Sequence, residues 1–247
     1  MLRLFRKSLK TGIVTTAYPA KKDIPKEGFR GLPERKVEKC TGCGHCSEVC
    51  PTGAIEVTGS AGQTPAERPG FTWALDPKRC LFCGYCAEDC PEGALQQSQK
   101  YELAINATSR ALGEQLGRSI HIRHLDGGSC NGCEWEMTTL TGPVYDIQRL
   151  GFDFVASPRH ADLLMVTGPI TRNLELAVRR TFSAVPAPKV VLAVGTCACS
   201  GGMCGSSYAS AGGVDQVLPV DVYIPGCPPR PQALIQGLLQ VLGQRGS

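Results

Sequence analysis

Fourteen of the 247 residues are cysteine, and their spacing decides what they can do. The stretch CTGCGHCSEVCPTGAI, Cys40 to Ile55, returns as CLFCGYCAEDCPEGAL, Cys80 to Leu95, and each copy reads C-x2-C-x2-C-x3-C-P. Three thiolates three residues apart on a tight loop can grip one face of a [4Fe-4S] cube, while the fourth, already leaving the loop, reaches a second cube. The spacing therefore assigns Cys40, Cys43, Cys46 and Cys90 to one cluster, and Cys80, Cys83, Cys86 and Cys50 to another. Zinc sites pair two CxxC units and do not repeat a triplet followed by Cys-Pro. With both quartets full, His45 is read as an exposed loop residue. Pro51 and Pro91 hold the cysteine before them extended, which helps to end each turn.

Six cysteines are left: Cys130 and Cys133 in DGGSCNGCEWE, Cys197, Cys199 and Cys204 in GTCACSGGMC, and Cys227 in GCPPRP. A cube needs four, and spacing alone does not choose them. The surrounding pattern says where they stand. SIHIRHL, ADLLMVTG, PKVVLAVG and VDVYIPG read as strands, and MTTLTGPVYDIQRLG, RNLELAVRRTF and PQALIQGLLQVLGQ read as helices. Alternating strands and helices predict an α/β doubly wound parallel sheet, whose ligands sit beyond the carboxyl ends of the strands. All six cysteines fall in loops at those ends. The three prolines of GCPPRP stiffen the loop that carries Cys227. In the first half, IEVT and FTWAL read as strands joined by a Gly/Pro-rich loop.

The length accommodates one ordinary domain and a smaller companion. No stretch approaches the roughly 18 apolar residues of a spanning helix, and no secretory signal is evident, so the chain is expected to be intracellular. In a reducing compartment many cysteines point to metal, not to disulfides. Of the net charge of +4, Met1 to Lys39 carries +7, leaving −3 for the remainder. Leu2, Phe5, Leu9 and Ile13 recur at helical spacing between Arg3, Arg6, Lys7 and Lys10, the pattern of a basic amphipathic helix suited to an anionic membrane surface or a partner's groove. Basic charge without interleaved aromatic residues argues against nucleic acid. The expected organisation is a docking segment over 1–35, a two-cluster α+β domain over 36–98, a linker over 99–118 with some helical periodicity, and the doubly wound domain over 119–247.

The motifs DGGSCNGCEWE, PRHADLLMVTGPITRN, GTCACSGGM and VYIPGCPPRPQAL resemble the cluster-bearing small subunit shared by respiratory complex I and membrane-bound energy-converting [NiFe] hydrogenases, including formate hydrogenlyase-type complexes. The resemblance runs from Ser119 to Ser247. It implies a flavodoxin-like fold and a third [4Fe-4S] cluster on Cys130, Cys133, Cys197 and Cys227, leaving Cys199 and Cys204 over. Complex I subunits typically carry adjacent cysteines in the first loop, whereas the CxxC here sides with the hydrogenases. The first half resembles the bacterial-type 2[4Fe-4S] ferredoxin-like subunit of the same assemblies, so the chain resembles a fusion of the two.

What the resemblance implies is an electron-transfer subunit carrying three clusters, to or from a [NiFe] large subunit. Membrane-arm subunits and a ferredoxin or formate-dehydrogenase-type donor would be its other partners, on the cytoplasmic side of the plasma membrane as a peripheral component. A complex I-like NADH/quinone oxidoreductase subunit and an independent ferredoxin-type carrier are the alternatives. No nucleophile, acid–base pair or phosphate loop accompanies the cysteines, so no catalytic residue is expected in this chain. Arg159 and His160 are expected at a strand entrance, with Asp162 capping there or pairing with Arg159. His121 and His124 read as strand residues, Glu134 and Glu136 as solvent or interface carboxylates.

Overall fold

The computed structural model describes residues 2–59, 70–107 and 119–243. The Gly/Pro-rich loop of the first half and most of the expected linker, residues 60–69 and 108–118, lie outside the described residues. The chain opens with helix α1, Leu2–Thr11, on which Leu4 and Leu9 are exposed. Strand β1, Pro33–Arg35, follows, then the short helix α2, His45–Glu48, and strands β2, Ile55–Thr58, and β3, Thr72–Leu75. Helix α3, Tyr85–Glu88, and strand β4, Leu95–Gln97, complete the first half. The duplicated sequence makes a duplicated structure: each cysteine triplet ends in a one-turn helix entered from a left-handed glycine, Gly44 or Gly84. β2 pairs antiparallel with β3, and β1 pairs antiparallel with β4. Ile55, Cys86 and Leu95 form the small core between them.

The second half begins earlier than expected. Strand β5, Ile105–Asn106, lies in the segment read as a linker, yet it pairs antiparallel with the last strand of the large sheet. It is followed by β6, Ile120–Asp126, helix α4, Gly132–Thr139, and β7, Phe152–Phe154. Then come β8, Leu163–Thr167, α5, Arg172–Ala184, β9, Val190–Val194, α6, Thr196–Ser200, β10, Val222–Ile224, and α7, Pro231–Val241. The sheet runs β5-β10-β9-β8-β6-β7, with all but β5 parallel. β8 and β9 are buried at every position, as both-sided covering requires. One face packs Ile122, Leu163 and Leu192 against α7, and the other packs Leu164, Val166 and Val191 against α5 through Val178.

One expected helix is corrected. MTTLTGPVYDIQRLG was read as helical over 137–151, but α4 stops at Thr139 and residues 147–150 form a separate 3-10 turn before β7. Gly142 and Pro143 interrupt the pattern, and the short β7 that follows was not foreseen.

The segments expected to dock and to link are drawn onto the second half because α7 is buried nearly all round and carries polar side chains. Gln236 accepts from the Ala104 N–H at 3.1 Å, and Gln240 donates to the Ala104 carbonyl at 3.1 Å. Gln232 donates to Asp23 at 2.5 Å. Buried amides need such partners, and residues 23 and 104 supply them. Tyr18 is buried here as well, donating to Glu102 at 2.9 Å. No helix among the described residues is long and apolar enough to cross a membrane. Ile122, fully buried in β6, tests the sheet's core: Ile122→Val is expected to cost about 0.5–1.5 kcal/mol, read as a lower urea midpoint.

Candidate metal centres

The two cysteine repeats fold so that their members exchange. One pocket is lined by Cys40, Cys43 and Cys46 of the first copy together with Cys90 of the second. Another is lined by Cys80, Cys83 and Cys86 together with Cys50. Each pocket thus gathers three thiols of one copy and one of the other. The lining is suited to thiolates. Ala54 N–H donates to Cys50 Sγ at 3.2 Å and Ala94 N–H to Cys90 Sγ at 3.3 Å, the same bond in each copy, and Phe82 N–H donates to Cys80 Sγ at 3.4 Å.

Burial pushes the Cys80 thiol up to about 11 and the Cys86 thiol up to about 12. At Cys50 burial acts upward too, but hydrogen bonds from the Thr52 and Ala54 backbone outweigh it and leave the thiol below its ordinary value. Beside the first pocket burial pushes the Cys46 thiol up, and the Trp73 indole N–H, which has no other hydrogen-bond partner, acts in the opposite direction. An N–H turned toward a ligand sulfur is how a protein tunes a bound cluster. These two rings of four thiols, with donors aimed at sulfur, fit [4Fe-4S] groups.

The remaining cysteines gather at the carboxyl ends of the parallel strands. Cys130 follows β6, Cys133 stands in the first turn of α4, Cys197 in the first turn of α6 after β9, and Cys227 three residues beyond β10. The first loop is tied by Asp126, whose Oδ1 accepts from the Gly128 and Ser129 N–H groups at 2.8 and 2.7 Å. Burial pushes the Cys133 thiol up, and the charges of Glu134, Cys197, Cys227 and Cys130 push it further. Cys197 rises to about 11, through burial first and then the charges of Cys227, Cys204 and Cys130. Four thiols from three loops therefore share one region, with Cys130 and Cys227 exposed. Raised thiols must shed protons when metal binds, so loading this region would release them.

Residues 130–241 match the family described as NADH ubiquinone oxidoreductase, 20 Kd subunit, and residues 39–94 match the 4Fe-4S dicluster domain. The chain is 42% identical over 127 residues to a probable membrane-bound hydrogenase subunit, mbhJ, of Pyrococcus furiosus, an alignment covering 51% of this chain and 76% of that one. The chain belongs to the complex I 20 kDa subunit family. It is also 41% identical over 140 residues to formate hydrogenlyase subunit 7 of Escherichia coli, covering 57% of this chain and 55% of that protein, so it spans about half of that relative. With an NADH-quinone oxidoreductase subunit of Clostridium beijerinckii it shares 53% identity over 108 residues, 43% of this chain and 64% of the other.

In this family member Cys199 and Cys204, which the resemblance leaves over, part company. Cys199 is 1% exposed, sits in the core on the other face of the sheet and donates to the Ala193 carbonyl at 3.5 Å. Cys204 is exposed and lies near enough to Cys197 for its charge to be felt. His45 lies 3.6 Å from Glu48 on the surface. Arg159 and His160 occupy a 3-10 turn capped by Ser157, while Asp162 accepts from the His121 N–H at 2.9 Å instead of capping that turn.

His121 and His124 lie on β6 as expected, but His124 is more than a strand residue. Its Nε2 is 3.0 Å from Thr167 Oγ1 and 3.4 Å from Glu134 Oε1, and Thr167 donates to the same carboxylate. Glu134 is therefore partly buried in a polar cluster directly behind Cys133, not a solvated carboxylate. Burial holds His124 below its usual range. Sequence reasoning also passed over Arg230, three residues after Cys227, which pairs with Asp23 at 2.8 Å and lies over the Phe29 and Tyr101 rings. An arginine in the proline-rich ligand loop was the available signal.

Proposed function

We propose that this chain relays electrons through three [4Fe-4S] clusters to or from the [NiFe] large subunit of a membrane-associated energy-converting hydrogenase complex. The observation that carries the reading is the crossed arrangement of the two repeats, three thiols from one copy and one from the other around each cavity, with the third group of thiols beside the second. The ligand sets are Cys40, Cys43, Cys46 and Cys90; Cys80, Cys83, Cys86 and Cys50; and Cys130, Cys133, Cys197 and Cys227. A bound cluster supplies one-electron oxidation and reduction without bond making.

The chain's own residues do the rest. Trp73 and the Ala54, Ala94 and Phe82 N–H groups favour thiolate at named sulfurs, and the buried positions of Cys80 and Cys86 keep water away. The five parallel strands, taken in chain order, lie 2-1-3-4-5, which supports a flavodoxin-like reading of the second half. Its strand ends carry cysteines where that fold places ligands. Reaction at nickel and iron is assigned to the large subunit. α1 and its exposed Leu4 and Leu9 support peripheral attachment at the cytoplasmic membrane face, beside membrane-arm subunits, with a ferredoxin or formate-dehydrogenase-type donor.

Anaerobic analysis of the full chain should approach about twelve iron and twelve sulfide, three cubes of four. In the assembled complex Cys83→Ser should leave assembly intact and slow electron delivery from the physiological donor. Delivery at the parental rate would put the first half off the path. The likeness to an NADH-quinone oxidoreductase subunit supports a second reading, a complex I-like quinone reductase subunit. Co-purification separates the readings: a large subunit with two CxxC nickel motifs supports the hydrogenase, one lacking them the quinone reductase, and no such partner an independent carrier.

A further inference from the structure

Thr196 stands between β9 and Cys197, is 1% exposed, and spends its side chain in an unusual way. Gly195 is the N-cap of this helix, so the Thr196 hydroxyl is not committed to capping and can reach outside it. Here Oγ1 donates to the carbonyl of Cys80, 116 residues away, at 2.7 Å, and lies 3.1 Å from the carbonyl of Gly226. The Thr196 N–H donates to that same Gly226 carbonyl at 2.8 Å. Cys80 lines the second cavity, Gly226 precedes Cys227, and Thr196 precedes Cys197. One buried hydroxyl thus joins the backbone of a second-site cysteine to both later loops of the third site. The thiols approach as well, since Cys227 is close enough to Cys80 and Cys83 for their charges to act on one another. With one proton to give, the hydroxyl favours the nearer acceptor, Cys80.

We propose that Thr196 is the positioning residue that sets the approach between the second and third clusters, its hydroxyl bridging the ferredoxin-like half to the strand-end site. The inference rests on the three-cluster relay. One electron leaves one cluster and enters the other; no bond breaks, and Thr196 keeps its proton.

The test uses the full chain, loaded anaerobically and reduced with dithionite, which gives one electron to each cluster and is itself oxidised. Two measurements are made on parent, T196V and T196S: iron per chain, and the electron paramagnetic resonance spectrum, in which neighbouring reduced clusters broaden and split each other. T196V keeps the size of the side chain and loses the hydroxyl, while T196S keeps the hydroxyl. The expected result is full iron in all three, with the interaction between second and third clusters lost in T196V and retained in T196S. An unchanged interaction in T196V overturns the proposal, as does its loss in T196S. Loss of third-site iron in T196V alone, with the second-site signal intact, assigns the hydroxyl to Gly226 and overturns the bridge. A parent chain that saturates at about eight iron, two cubes of four, overturns the relay reading itself along with the bridge.

Discussion

Cys197→Ser is expected to lower bound iron from about twelve to about eight atoms per chain, and Cys199→Ser to leave it near twelve, counting four per proposed cube. The two cysteines lie two residues apart on α6, where successive side chains turn by about 100° each, so they point to nearly opposite sides. Cys197 turns to the strand-end region, where it feels the charges of Cys227 and Cys130. Cys199 turns through to the far face of the sheet, fully enclosed among Ala193, Ala198 and Val214. Burial pushes its thiol up, and its proton is already given to the Ala193 carbonyl. A serine there can make the same bond. Anaerobic iron and sulfide analysis of the two variants decides the matter, and iron lost from Cys199→Ser alone would exchange their roles.

That contrast marks where sequence reading was strong and where it needed coordinates. The cysteine triplets were legible because a duplicated motif carries its own register, and the crossed gathering of Cys90 with the first triplet and Cys50 with the second follows from that register. β8 and β9 were legible because strands covered on both faces read as unbroken apolar runs. β7 and β5 were not, since two or three residues carry no periodicity and their pairing is decided by neighbours far along the chain. The same limit hid the polar contacts. Nothing local to Thr196 announces a carbonyl 116 residues earlier, and nothing local to Glu134 on α4 announces His124 on β6 and Thr167 on β8. The segment read as a linker was drawn into the sheet because buried glutamines on α7 required backbone partners, a demand visible only once that helix is known to be enclosed.

Gly195→Ala should dismantle the third site while Gly205→Ala should not. Gly195 ends β9 with φ 87° and ψ 157°, a region that is essentially closed to residues with a side chain. A methyl group there would stand 2.4 Å from Cys133 Sγ, so strain of about 1–3 kcal/mol is joined by a direct collision with a third-site thiol. Neither partner can yield cheaply. Cys133 is held in the first turn of α4, and the Gly195 N–H is bonded to the Ile224 carbonyl at 2.9 Å, which ties β9 to β10. The alanine must displace either the sulfur or the strand end that carries Cys197. Gly205 supplies the control, because it too has a positive φ, 53°, but a methyl group added to it meets nothing within 4 Å. Its alanine variant bears only the left-handed cost, about 1–2 kcal/mol. Both variants should therefore unfold at lower urea, but only G195A should fall toward about eight iron per chain, one cube of four being lost. Twelve iron in G195A would mean that Cys133 can move without loss of the cluster, and the ligand set built on it would have to be redrawn.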